Sequence, residues 1–351
     1  MLERSLTVDV LKVVAAQFIV WHHFSAYGPM ADTMTLVWPH LMEWLYRYAR
    51  LAVQVFLVVG GYLAAQSVMY KPLQNPLISI AKRYLRLVPF YVFALALISL
   101  AVAVSRNTIH ADWLPSEPTL WQFVAHGLLL HDIFGFEALS SGAWYVAIDW
   151  QLYAVLAVLL ISFSSYQALI WLISIVAVSS LLYFNRSAQY EAYFIYFIGS
   201  YGLGVLAYLA KNFADKKIQV LAKFALIAIG LIIAISTLHE VWLRNFLAWF
   251  VALLLLVWGN VSYPSLAPAS PKAKAFLLRS ISWASPRSYC AFLIHFAFIL
   301  LANTLYIASG MHSHESGLIA IGLMLGVVVC STIAASYLYR LVELPSAKLK
   351  I

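Results

Sequence analysis

Four ionisable side chains sit inside otherwise apolar stretches: His22 and His23 in the run that reaches about Tyr27, Asp149 just past Trp144, and His295 beyond Ser288. Such groups are costly in hydrocarbon unless they face a cavity or a partner. An imidazole beside a carboxylate can take a proton from a hydroxyl, the acid fixing the tautomer and stabilising the imidazolium. The same residues would serve equally well as a self-satisfied buried pair or as a transporter-type proton relay. A second constellation is Lys82, Arg83 and Arg86, shortly before Pro89. Spacings of three and four put them on one helix face. A face of this kind can hold the phosphates of a nucleotide-like ligand, with Arg giving forked contacts. Taken alone, snorkelling to lipid phosphate explains it more simply.

The elements that carry these residues follow from composition. Of 351 residues, 64% are hydrophobic and 10% charged. A water-soluble globule has nowhere to hide that much apolar surface, so the expected fold is an all-α polytopic membrane bundle. A transmembrane barrel would alternate apolar and polar residues, whereas these runs are continuously apolar over helix lengths. The formal net charge of +8 does not indicate nucleic acid, because the charges lie at the ends of apolar runs, where topology and anionic lipids account for them. Cys290 and Cys330 fall within apolar runs, without metal-ligand spacing or a disulfide framework. No Gly-rich phosphate loop, zinc spacing or nucleophile elbow is found, and no metal is expected.

At about 20 residues per crossing, some ten spans are expected, centred near residues 18, 60, 96, 154, 174, 200, 228, 250, 298 and 328. The first is read as a retained span, since no cleavage site closes it. Seventeen of the 22 Lys and Arg fall on the face that includes the termini; Arg47, Arg50, Arg106, Arg186 and Arg244 fall on the other. The positive-inside rule then predicts cytoplasmic termini. Two outward segments, 29–49 and 105–143, exceed simple turns. The second contains apolar Leu120–Leu130 with His126 and His131, too short to span and read as a re-entrant or interfacial helix. His23 and Asp149 each lie about five residues, roughly 8 Å, below the outer end of their spans, so the two are expected to meet. One integral membrane domain over residues 1–351 accounts for the chain.

Five segments in order resemble the acyltransferase-3 family of integral membrane acyltransferases. Asp9-Val-Leu-Lys12, with His23 following, resembles its D-x-L-R opening and first-span histidine; by that register His23, not His22, is the matching position. Val55-Phe-Leu-Val-Val-Gly60-Gly61-Tyr-Leu is similar to F-F-V-x-S-G-F-L, and Lys82-Arg83-x-x-Arg86-x-x-Pro89 to R-R-x-x-R-x-x-P. Trp144-x4-Asp149-x3-Tyr153 is similar to W-S-L-x-x-E-x-x-x-Y. Ser288-Tyr289-x-x-Phe292-Leu293-Ile294-His295 resembles S-Y-x-L-Y-L-x-H, with Glu343-Leu-Pro345 resembling the E-x-P tail. Departures are Lys12 for Arg, Gly60 for Ser, Tyr145 after Trp144, and Asp149 for Glu.

The resemblance implies transfer of an acyl group, usually acetyl, from cytoplasmic acyl-coenzyme A to a hydroxyl of an extracytoplasmic glycan or lipid-linked sugar, in the cytoplasmic (inner) membrane of a bacterium. It implies that Lys82, Arg83 and Arg86, helped by Lys12, hold the donor, acetyl-CoA or another acyl-CoA. His23 would be the base and Asp149 would orient it. Trp144, Tyr153 or a backbone amide would line the acyl pocket, while His295 would contact substrate, with direct catalysis and a packing or hydrogen-bonding role both open. Direct attack and an acyl-histidine intermediate both stay open. No appended esterase-like domain is seen, so acceptor recognition is expected from the outward loops and the bundle. The rival expectation is a proton-coupled transporter or lipid-linked sugar flippase, against which stands the absence of paired Gly/Pro-broken spans in two similar halves.

Overall fold

The computed structural model of the chain describes residues 4–70, 75–264 and 271–346. Lys71, Lys348 and Lys350, counted above toward the basic face, lie outside them. Among the described residues the fold is all α-helical, with no strand and an isolated antiparallel bridge between Ser5 and Ser262. It is a polytopic membrane bundle. Among the described residues eight helices are long and apolar enough to cross a bilayer. Leu6–Ala26 and Leu243–Trp258 occupy the remaining two expected span positions. The former carries Asp9, Lys12, His22 and His23, and the latter has only 16 residues.

In chain order the described α-helices begin α1 (Leu6–Ala26), α2 (Pro29–Val37), α3 (Pro39–Tyr48), α4 (Ala52–Tyr70), α5 (Pro76–Thr108), α6 (Leu120–Gly127), α7 (Ala143–Ser162), α8 (Tyr166–Leu182), α9 (Phe194–Asn212), α10 (Lys216–Ser236), α11 (Leu243–Trp258), α12 (Lys272–Ala284) and α13 (Ser288–Ala308); α1, α4, α5, α6, α7, α9 and α13 matter for the site. Local chemistry starts several of them. The Ser5 hydroxyl accepts from Val8 N at the head of α1, and Asn75 caps α5, whose first residue is Pro76. Pro89 lies inside α5. It has no N–H to give the preceding turn, so the 33-residue helix has one defined weak point in its ladder.

Lipid supplies no hydrophobic drive between spans, so close backbone approach and interhelical polar bonds do that work. At the α4–α9 contact a Cβ on Gly61 would fall 2.0 Å from the Tyr201 carbonyl oxygen, and one on Gly204 would fall 1.9 Å from that of Val58. Only glycine permits either approach. Buried polar pairs add to this: Gln54 to Ser200 at the same α4–α9 contact, and Ser105 to Thr304 and Asn185 to Asn245 between other segments.

The outward segment after α5 turns back into the bundle. Thr119 and Gln122 form a reciprocal cap at the start of α6, and Tyr84 on α5 donates to the Gly127 carbonyl at 2.6 Å. That bond brings Gly127 to the level of the third turn of α5, consistent with the re-entrant reading. The stacked, buried rings of His126 and His131, 3.9 Å apart, fill its interior.

Candidate active site

Facing residues of α1, α4, α5, α7 and α13 form three tiers. On α7 and the residues before it, Ser141, Tyr145 and Asp149 recur every four positions; on α13, Tyr289, Phe292 and His295 recur every three. Each step is close to one helical turn, about 4.5–6 Å. The tiers run from charged, through aromatic, to imidazole.

The charged tier surrounds a cavity of about 340 Å³, near the lower end of small-molecule sites. Lys12, Arg83, Arg86, Asp149 and Glu343 line it. Glu343 comes from a short π-helical continuation of the last span, Tyr339–Glu343, and accepts from the Cys290 thiol at 2.8 Å. Toward the terminal face, Asp9 accepts from Arg4, Tyr263 and Ser285 at 2.6–2.7 Å, fixing the start of α1 against the segment that leads into α13. Burial and the neighbouring carboxylate raise the Tyr263 phenol, so it stays a donor to Asp9.

Arg83 and buried Asp149 form a part-buried ion pair at 2.5 Å, with the guanidinium over the Tyr153 ring at 5.2 Å. Asp149 therefore faces Arg83, and the expected His23–Asp149 pair is replaced. Arg83 sits closer to the carboxylate on its own side of the bundle, and an unpaired buried guanidinium would be worse still. Lys12 and Arg86 line the same cavity and make no hydrogen bond or ion pair among the described residues. Lys82 is exposed and outside the lining.

The expected pocket residues are also redistributed. Trp144 stacks on Phe197, and Tyr153 shares a 2.7 Å hydrogen bond with Ser79. Neither lines the cavity; Tyr145 and Val146 do. Helical phase explains the change, because Tyr145 stands one turn above Asp149 on its face while Trp144 is rotated off it.

In the third tier His23 finds its partner on α13. Its Nδ1 lies 2.7 Å from His295 Nε2, with the rings 3° from coplanar. His295 Nδ1 approaches the Ala291 carbonyl at 3.2 Å. A carbonyl only accepts, so in the neutral ring Nδ1 carries the hydrogen and Nε2 is bare. His23 Nδ1–H must then donate to it, with the Ser141 hydroxyl 3.4 Å away. His23 Nε2 is left as an unprotonated nitrogen with no hydrogen-bond partner among the described residues. His295 thus holds the position expected for Asp149. Both rings are buried, at 6% and 1% exposure, and neither lines the cavity.

Sequence reasoning did not find Phe56, Phe292, Ser141 or the His23–His295 pairing. Phe56 and Phe292 fell within the quoted motifs but looked like ordinary lipid-span residues. Among the described residues no group of three or more His, Cys, Asp or Glu is placed to hold a metal ion.

The described helices thus form a polytopic bundle with a hydrogen-bonded pair of buried imidazoles above a basic cavity. A family model described as an acyltransferase domain matches residues 6–340, and the chain belongs to that family, acyltransferase-3. It is therefore a multi-pass membrane acyltransferase, and the transporter reading falls away. No curated protein and no solved structure matches it significantly.

Proposed function

We propose that the protein transfers an acyl group, acetyl in the first place, from acyl-coenzyme A on the cytoplasmic side of a bacterial inner membrane to a hydroxyl of an extracytoplasmic glycan or lipid-linked sugar. The observation that carries this reading is the hydrogen-bond chain from Ala291 through His295 to His23, which leaves His23 Nε2 as a bare base.

Lys12 and Arg86, unpaired among the described residues and lining the cavity wall, suit the donor's phosphates, with the thioester arm directed along the tiers. Arg83 holds Asp149 and shapes the cavity floor. His23 Nε2 takes the acceptor hydroxyl's proton as the oxygen bonds to the thioester carbonyl carbon. The carbon–sulfur bond then breaks, His23 returns the proton to the leaving sulfur, and coenzyme A departs as the thiol. His295 Nε2 accepts from His23 Nδ1–H throughout and stabilises the transient imidazolium.

The test is incubation of inside-out membrane vesicles carrying the full-length protein with radiolabelled acetyl-CoA. Label released by hydroxylamine is read as O-ester. The wild type is expected to transfer label, and His23→Ala, inserted at equal abundance, to transfer none. Full transfer by that variant removes the base from the mechanism.

A further inference from the structure

The cavity does not reach the imidazole tier. Between them stand three rings from three helices: Phe56 on α4, Tyr145 on α7 and Phe292 on α13. Their centroids are 5.9, 5.6 and 5.9 Å apart pairwise, each ring touching the other two. All three line the inner end of the cavity, while His23, His295 and Ser141 do not. On its far side Phe292 lies 6.3 Å from the His295 ring. The tip of Phe292 rests on the backbone before α7: a Cβ on Gly142 would sit 3.0 Å from its Cζ. The rings therefore close a partition one side chain thick between the charged cavity and the base.

We propose that this partition is an acyl-size filter, with Phe292 as its principal residue. The proposal rests on the transfer reading above. A thioester carbonyl must pass the plane of the three rings to meet a hydroxyl held by His23, and the acyl chain leads the way. Phe292 is the member that contacts both the cavity and the His295 side, so its displacement opens the path. Phe56 and Tyr145 remain on either flank and limit the width of the opening. Two carbons fit such a gap with a small ring movement. Each further methylene must be lodged among rings packed against one another, where overpacking is costly. Apolar pockets distinguish substrates differing by one methylene by about 10- to 200-fold, so a chain four methylenes longer than acetyl is strongly rejected.

The experiment compares labelled acetyl-, butyryl- and hexanoyl-CoA in the inside-out vesicle assay for wild type, Phe292→Leu and Phe292→Ala. The expected result is an acetyl preference over hexanoyl of at least about 100-fold in the wild type. That preference is expected to fall at least tenfold in Phe292→Ala and to an intermediate value in Phe292→Leu. The leucine variant keeps most of the side-chain volume and carries the test if the alanine variant does not fold. Loss of packing alone lowers all three rates together and leaves their ratio unchanged. An unchanged ratio in a variant that still transfers acetyl overturns the filter and leaves the transfer reading standing. Absence of transfer by the wild type from all three donors overturns both.

Discussion

The chemistry proposed at His23 is set by a hydrogen-bond direction rather than by a charge. In a serine-protease-like arrangement a carboxylate holds the imidazole tautomer; here a second neutral imidazole does so, anchored by a carbonyl one turn back on its own helix. The prediction belongs to the partner residue. His295→Ala removes the acceptor for His23 Nδ1–H and is expected to lower kcat roughly 100-fold or more, leaving KM for acetyl-CoA within about twofold. His295→Gln, whose amide oxygen can still accept, is expected to recover much of that loss. Steady-state transfer kinetics of the two variants separate this role from packing, because a packing defect gives no rescue by glutamine. The sequence marked both histidines as ionisable residues in apolar runs. It could not pair them, because they are 272 positions apart and one sequence does not say which spans are neighbours. The reach of Asp149 was legible; the competing guanidinium of Arg83 was not, because helix spacing placed Arg83 on the donor face without its rotation toward α7.

At the scale of elements, the tiers depend on α4 lying tight against α9, since α4 presents Phe56 and Gly60 to the cavity. The reciprocal close approaches at Gly61 and Gly204 fix that contact. Gly204→Leu forces a side chain into the Val58 carbonyl. It is expected to cost at least about 1–3 kcal/mol, read as a lowered Tm of the detergent-purified protein with a matching loss of acetyl transfer. A Tm equal to wild type would mean that the two helices are not held this way. The existence of most helices was plain from continuous apolar runs of spanning length. The inward fold of the 109–142 segment was legible only in outline, from a run too short to cross. Its depth comes from the Tyr84–Gly127 bond, a tertiary contact that no local pattern encodes.

For the whole molecule, the charged tier lies toward the terminal segments, the face to which the sequence reading assigns 17 of the 22 Lys and Arg. Arg4, Lys12, Arg86 and Glu343 all line the cavity near the first and last described helices. If the donor is held by charge at this rim, as proposed above, its affinity is expected to fall with added salt. Arg86→Ala is expected to raise the Kd for coenzyme A about tenfold, in keeping with the loss of one charge-assisted contact. The same variant is expected to flatten the salt dependence while leaving Tm near the wild-type value. Titration of the purified protein with coenzyme A at two ionic strengths reads both, and an unchanged Kd assigns Arg86 to lipid contact instead.

The three-ring partition has a bearing on the cell as well as on the donor. On the transfer proposed above, a protein that hands a group from one compartment to the other risks becoming a leak for protons, and any such leak drains the gradient that powers the membrane. With Phe56, Tyr145 and Phe292 closed on one another, the water-accessible hollow is a blind well, and the bilayer keeps its insulation between turnovers.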